Sequence, residues 1–571
     1  MENTKNLESE KIFIKYFNDE ASYHNFIFLL FQNLKDNNFK FNDTKISKKD
    51  LIENMEKNIN YLIIHIKELG AKESKDNKEK EIYGCISCIF GAFFGDAIGA
   101  YCEFKKPSIQ NINNIFKGNP MFGDDPGQVT DDSEMAMASA FAIMENINLK
   151  ELNSNYLYYF YGLWHISHPR DEGNTTRKAL KYFNEKDFNF NLNKSSDDGI
   201  FKEIEKSNNK SLANGFLMRT SPIIVFLYFR FKNKITEAFN KEKDNQKELF
   251  ALFNIIKLEV HKDNICTHPN ESLSISHSIF CIISLGAIYG LDSTQIIDNV
   301  KTLLNHQFFD GKKDYGIKDI IMEELVKYEK DKDLSSFDKA FKYFTKEKNV
   351  TNHMGYYIHA FRLTLYYLYF FKEINSEKKF SKFREIMNQI CSFGGDTDTN
   401  AAIVGAVVGP LIGYHNFCDE DFLKMVSLVP RKRFVFSPGL MIIYVYFLKN
   451  NMNNNNHKGK YFIRILLKLL YDNIDLNDIN EENKKNHNDS KKEETLKKEQ
   501  INKEKENKNK NKKNHDDKKE QEEKNNKIEK VKNSKGVKDQ NKKNQNEKKI
   551  ESNKVKAKTQ TQTKSKPKKK K

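Results

Sequence analysis

The chain has 571 residues, with 95 Lys and Arg against 79 Asp and Glu and a formal net charge of +16. Residues 481–571 hold 33 basic and 17 acidic side chains, which leaves 62 of each in residues 1–480. The excess charge therefore sits in the tail, and the neutral body gives no compositional reason to expect nucleic-acid binding. The length is ample for a large buried core.

Seven cysteines, an odd number, lie mostly in apolar segments, which points to reduced thiols in the cytoplasm or nucleus rather than to a disulfide framework. Cys85 and Cys88 have CxxC spacing, but no second pair follows, and YGCISCIFGAFFG reads as a buried helix. The N-terminus, MENTKNLESEKIF, is charged and lacks the apolar region of a signal peptide. Apolar stretches such as 223–229 and 279–290 fall short of the roughly 20 residues that a membrane span needs. No membrane partner is expected.

Residues 1–80 carry two amphipathic helical patterns, near 10–35 and 48–69, divided by the polar NDTKISKKD, and read as a helical extension without assignable chemistry. From 83 to 450 the apolar segments recur with helical period at 84–101, 132–147, 153–166, 213–232, 248–259, 272–290, 295–305, 318–328, 353–373, 382–391, 400–413 and 421–428. Alternating Val/Ile/Thr runs are nearly absent, so the fold class is all-α. The polar stretches near 185–210 and 330–350 read as loops on this domain. Residues 451–477 form a linker and a short amphipathic helix, KYFIRILLKLLYDNI. Residues 478–571 are a low-complexity Lys/Asn tail with too little apolar surface to offset the entropy of ordering. Its KSKPKKKK end can act as a nuclear signal or make a weak polyanion contact, but a solvated tail suffices to explain it.

The chemistry gathers where glycine and clustered polar residues interrupt the apolar rhythm. In SFGGDTDTN (392–400), two glycines permit a tight turn, and Asp396 and Asp398 then open an apolar helix flanked by Thr397 and Thr399. Thr130-Asp131-Asp132 opens a second apolar run. Acids at a helix start can simply cap it. Two such mouths facing one another, however, would offer the hard oxygen ligands that Mg²⁺, Mn²⁺ or Ca²⁺ take, and that is a two-metal arrangement. Asp96, in GAFFGDAIGA, is an acid on an otherwise buried face and needs a hydrogen-bonding partner there. Glu103, at the end of that segment, reads by itself as a surface acid. In HPRDEGNTTR (168–177), Gly173 and the amides after it can cradle an anion, and Asp171 is either a metal-assisted acid/base or a helix cap. Asn214-Gly215 delivers polar groups to an apolar helix, and His268 lies in THPNE.

Taken together, GAFFGDAIGAYCEF, PGQVTDDSEMAMA, DEGNTTRKAL, NGFLMR, THPNES, HMGYYIHAFRLTLYYL and GGDTDTNAAIVGAVVG resemble the ADP-ribosylglycohydrolases, most of all the dinitrogenase-reductase-activating glycohydrolase branch. The resemblance spans about 84–415. It implies an all-helical fold that holds two Mg²⁺ ions, or Mn²⁺, on Thr130, Asp131, Asp132, Asp396, Asp398 and Thr399. It further implies hydrolysis of the bond between ADP-ribose and a modified protein side chain, through an oxocarbenium-like state stabilised by neighbouring carboxylates.

By the same resemblance, Asp171, Glu103 and Asp131 are the acids at the reaction centre. Gly173, Asn174, Asn214, Gly215, Met218, His268 and Tyr357, or an aromatic beside Tyr357, line the ADP-ribose pocket. The DEGNTT segment favours an arginine linkage, while Glu103 keeps serine-linked and O-acetyl substrates open. Phe216 and Leu217 are bulkier than the family's usual residues after Asn-Gly and would narrow the pocket, which raises a non-catalytic ADP-ribose binder as an alternative. A nucleic-acid adaptor driven by the tail is a further reading. A monomer is expected.

Overall fold

The computed structural model describes residues 38–41, 44–47, 53–60, 77–109, 118–119, 126–146, 149–183, 198–240, 245–310, 316–374 and 379–413, and beyond these Met425, Arg433, 435–452 and Leu466. Two compact units divide the chain, Met1–Lys484 and Lys485–Lys571. The second unit, the tail and most of the 451–477 segment lie outside the described residues, as does the expected 421–428 segment except Met425.

Helices carry the main body. The periodic segments become Asn77–Gly99, Asp131–Glu145, Ser154–Ile166, Gln246–Asn264, Glu271–Tyr289, Ser293–Leu304, Ile317–Lys330, Tyr357–Tyr369, Lys379–Phe393 and Thr397–Ile412. Four expectations are corrected. The 213–232 run divides into a 3₁₀ turn at Asn214–Phe216 and helices Ser221–Arg230 and Lys232–Phe239. The expected loops contain helices at Asp198–Asn208 and Phe337–Lys342; the first is polar apart from Ile200, Phe201 and Ile204, too few apolar residues to stand out. In the N-terminal extension, Asn38–Phe41 pairs antiparallel with Thr44–Ser47, Phe41 opposite Thr44, where only a polar divider was expected. NFKF and TKIS each alternate in polarity, as paired strands do. Finally, two helices, Lys80–Cys102 and Glu271–Tyr289, are long and apolar enough to cross a membrane, longer than the sequence runs suggested, but 94% of each apolar window is buried inside the protein.

The central packing is between Asn77–Gly99 and Thr397–Ile412. Gly91, Gly95 and Gly99 recur every four residues on one helix, and Ala401, Gly405 and Gly409 do so on the other. A Cβ on Gly95 would lie 2.1 Å from the Ala401 carbonyl oxygen, and one on Gly405 would lie 2.1 Å from that of Gly91. The backbones thus touch along two full turns, which side chains would prevent. The C-terminal end of the first helix is thereby set against the N-terminal mouth of the second, where the Thr397 hydroxyl donates to the Gly99 carbonyl at 2.7 Å.

Away from the helix mouths, two buried acids are paired with arginine. Arg219 and Asp263, both fully buried, meet at 3.1 Å beneath Tyr161, whose hydroxyl also donates to Asp263. Glu324 accepts from Arg362, Tyr328 and Tyr343. Cys85 and Cys88 lie buried in the Asn77–Gly99 helix, where burial holds their thiols well above the usual cysteine range. Such thiols are unreactive.

Candidate active site

The first acidic mouth is capped from outside. Thr130 enters the Asp131–Glu145 helix from extended backbone and makes no side-chain cap of its own. Asp96 supplies the acceptors instead. Its carboxylate takes hydrogen bonds from the Thr130 amide at 3.0 Å and hydroxyl at 2.8 Å, and from the Ser133 amide at 3.1 Å and hydroxyl at 2.5 Å. Burial pushes the Asp96 carboxyl up to about 6, with those bonds pulling the other way. Asp96 is therefore the anchor that ties the Thr130–Asp132 turn to the glycine-packed helix, the hydrogen-bonding role expected of a buried acid at that position. Asp132 accepts from Thr130 through one oxygen, while its other oxygen, Oδ1, is buried without a hydrogen-bond partner.

Glycine shapes the second mouth. Gly394 and Gly395 take φ of +72° and +83°, open to glycine at little cost, and a Cβ on Gly394 would lie 2.6 Å from the Lys105 carbonyl oxygen. The Gly395 carbonyl accepts from the Phe104 amide at 2.9 Å, which fastens the turn carrying Glu103 to the turn carrying Asp396. Glu103 is not the surface acid that its position alone suggested. It is 6% exposed, and its Oε2 accepts from Asn119 at 2.9 Å. Burial, then the charges of Asp396, Asp171 and Asp131, push its carboxyl up to about 9.

The two mouths form one acidic centre. Carboxylate oxygens of Asp96, Asp132 and Asp398 lie within 4.8 Å of one another, and so do those of Glu103, Asp396 and Asp398. Asp398 belongs to both groups. Burial, chiefly, and then neighbouring carboxylates hold Asp131, Asp132 and Asp398 above the usual range. Asp396 is raised by burial against the hydrogen bond it accepts from Asn214 at 2.7 Å. Among the described residues no lysine, arginine or histidine pairs with any of these acids. Thr399 is buried in the first turn of its helix beside Asp398.

The remaining expected site residues fall into two sets. Asp171, half-buried, sits in the 168–173 loop, where it raises the pKa of Glu103, Asp131 and Asp396 by its charge, and its Oδ1 accepts from the Glu172 amide at 2.7 Å. Glu172 is held by His165 at 2.6 Å and Arg177 at 3.1 Å, which fixes the loop. Gly173 and Asn174 are exposed at the start of the seven-residue helix Asn174–Leu180.

Asn214, Gly215, Met218, His268 and Tyr357, by contrast, are all buried. A Cβ on Gly215 would lie 2.9 Å from the His268 ring, so His268 backs this turn. Tyr357 bonds Ser276, while its neighbour Tyr356 is the more accessible ring. Phe216 and Leu217 do not point outward: Phe216 is fully buried against His268, His277 and Tyr357, and Leu217 is 1% exposed.

Strain concentrates here. The non-glycine residues with positive φ among those described are Phe104, His168, Asn349 and His353. Phe104 follows Glu103, His168 opens the Asp171 loop, and the other two flank Val350 and Thr351, which pack on Gly395. Such backbone persists where its surroundings over-determine it, commonly at functional sites. Sequence reasoning missed Arg433, which grips Glu134 in the first turn after Asp132. The surrounding RKRF reads as an ordinary basic surface run and carries no signal of burial.

A family model, ADP-ribosylglycohydrolase, matches residues 75–428, more than half of the chain. The chain belongs to the ADP-ribosylglycohydrolase family. A protein of Acanthamoeba polyphaga mimivirus that carries the name ADP-ribosyl glycohydrolase is 28% identical over 359 residues, covering 60% of this chain and 89% of the viral one. A solved structure titled as an ADP-ribosylglycohydrolase-related protein complex aligns over 65% of this chain and 99% of its own, at 16% identity and a TM-score of 0.40. This ADP-ribosylglycohydrolase is thus a hydrolase with a strongly acidic centre set between two helix mouths.

Proposed function

We propose that the chain removes ADP-ribose from modified protein side chains, with arginine the favoured linkage, in a reaction that depends on two divalent cations. The observation that carries this reading is the set of buried carboxylates left without a protein cation, together with the unpartnered Asp132 Oδ1. Buried charge of this density needs neutralising. An oxygen-only donor set suits Mg²⁺ or Mn²⁺. Thr130, Asp131 and Asp132 on one side, and Asp396, Asp398 and Thr399 on the other, would hold the pair, with Asp398 shared between two carboxylate groups. Ions bound there supply positive charge that orients a diol and a water and absorbs developing negative charge.

The chain's own groups divide the remaining work. Asn214 donates to Asp396 and fixes that carboxylate. Asp171 stands on the more open loop with one oxygen anchored to a backbone amide, so it is placed to take a proton from water. Glu103, buried beside Asp396 and Asp398, is placed to deliver a proton to a leaving group. The non-catalytic reading drew on Phe216 and Leu217, and both now pack into the core. Substrate protein, monomeric action and a place in the cytoplasm or nucleus belong to the same proposal.

The test is ADP-ribose release from arginine- and serine-modified peptides, with Mg²⁺ and with EDTA, for wild type and Asp396→Ala. Metal-dependent release that is lost in the variant, and faster from the arginine peptide, supports the reading. Release only from the serine peptide would transfer the assignment to that linkage. Binding of ADP-ribose without release from either would sink the hydrolase reading.

A further inference from the structure

We infer that Arg433, outside the family match at 75–428, is a positioning residue that clamps the Asp171 loop to the Asp131–Asp132 turn. Its Nε and one terminal nitrogen form a two-point pair with Glu134, at 2.5 and 2.7 Å. The same guanidinium reaches the Ser167 carbonyl at 3.2 Å and the Ser167 hydroxyl at 3.1 Å. One buried cation therefore joins the first turn of the Asp131–Glu145 helix to Ser167, the residue just before the 168–173 loop. Trp164 completes the set by donating to Glu134 at 2.8 Å.

Two further observations bear on it. His168, next after Ser167, holds a φ of +53°, and the grip on the Ser167 carbonyl is a contact able to maintain that backbone. Arg433 is also braced from behind, its guanidinium 4.9 Å from the Phe436 ring, which packs on Phe141 of the same helix. A planar fork that binds a carboxylate and a carbonyl at once is specific to arginine; a lysine supplies charge without that geometry.

The inference rests on the proposed roles of Asp131, Asp132 and Asp171, and its test separates it from them. Arg433→Lys and Arg433→Met are compared with Arg433→Met/Glu134→Gln, in which removal of both charges relieves the uncompensated carboxylate. Thermal melting follows the fold, steady-state kinetics follow kcat and KM, and hydrogen exchange follows the amides of 167–173. A clamp predicts that the double variant regains melting temperature yet keeps a kcat lowered by roughly 10- to 100-fold with KM nearly unchanged, as loss of placement rather than of binding requires. It also predicts faster exchange across 167–173 in all three variants. Restoration of kcat in the double variant would show that Arg433 only neutralises Glu134 and would overturn the inference. Unchanged exchange across 167–173 would overturn it too, even if wild type released no ADP-ribose.

Discussion

Two populations of buried acid share this core. Asp263, Glu324 and Glu134 each meet an arginine, respectively Arg219, Arg362 and Arg433, and each also accepts from a tyrosine or tryptophan. Asp131, Asp132 and Asp398 are buried too, Asp396 is half-buried beside them, and none of the four meets a cation among the described residues. At Asp263, Glu324 and Glu134 the fold sets an arginine beside a buried carboxylate. At the two helix mouths no such partner is found among the described residues, and the proposed cation site rests on that difference.

This contrast can be broken by experiment. The largest effect is expected where a paired acid loses its partner: Arg219→Met leaves Asp263 buried and alone and should cost about 3–5 kcal/mol of stability, read by denaturant unfolding. A loss below about 1 kcal/mol, the range of exposed pairs, would dissolve the distinction. Asp398→Asn should behave oppositely. It removes a repelling charge, so the cation-free protein should melt no lower than wild type, while ADP-ribose release falls by about 10²–10³-fold, the scale on which single charge-stabilising groups contribute. Simple unfolding of this variant would place Asp398 with the paired acids.

Cation binding sharpens the contrast through pH. The folded pKa of Glu103, about 9, lies above its ordinary value of about 4.3. Its contribution to the cation-free fold is therefore present below about pH 4.3 and lost as pH rises towards 9. Mg²⁺ at a fixed concentration, 100 times its dissociation constant at pH 8, should add about 2.7 kcal/mol per site there and raise the melting temperature less at pH 5, where protons compete for the carboxylates. An equal rise at both would contradict proton competition. The smallest effect belongs to His277, a neutral buried group whose pKa burial, then Arg219, lowers to about 3. Because the folded value is depressed, its contribution is present above about 6.5 and lost as pH falls from there towards 3. His277→Asn should flatten the acid limb of stability against pH without altering its response to Mg²⁺.

Much of the centre was legible in the sequence because motifs record local demands. The register of Gly91, Gly95 and Gly99 and that of Gly405 and Gly409 are visible as strings, and backbone contact leaves no alternative to glycine. Thr130–Asp132 and Asp396–Thr399 announce themselves as polar openings of apolar helices. Burial across long sequence separations was not legible. Glu103 reads as exposed until Asn119 and the Gly395 turn close over it, and Phe216 reads as a pocket wall until His277 and Tyr357 are seen against it. Arg433 is the extreme case, since its partners lie 299 and 266 residues away. No local pattern distinguishes it from its basic neighbours.

The measurement that bears most directly on the account is divalent-cation binding by the full chain, with Mn²⁺ followed by electron paramagnetic resonance and Mg²⁺ competing. The account predicts two Mn²⁺ per chain with Mn–Mn coupling, both displaced by Mg²⁺, and binding lost or reduced to one ion in Asp132→Asn and Asp398→Asn. Absence of stoichiometric binding in wild type, or binding that Asp398→Asn leaves intact, would contradict it.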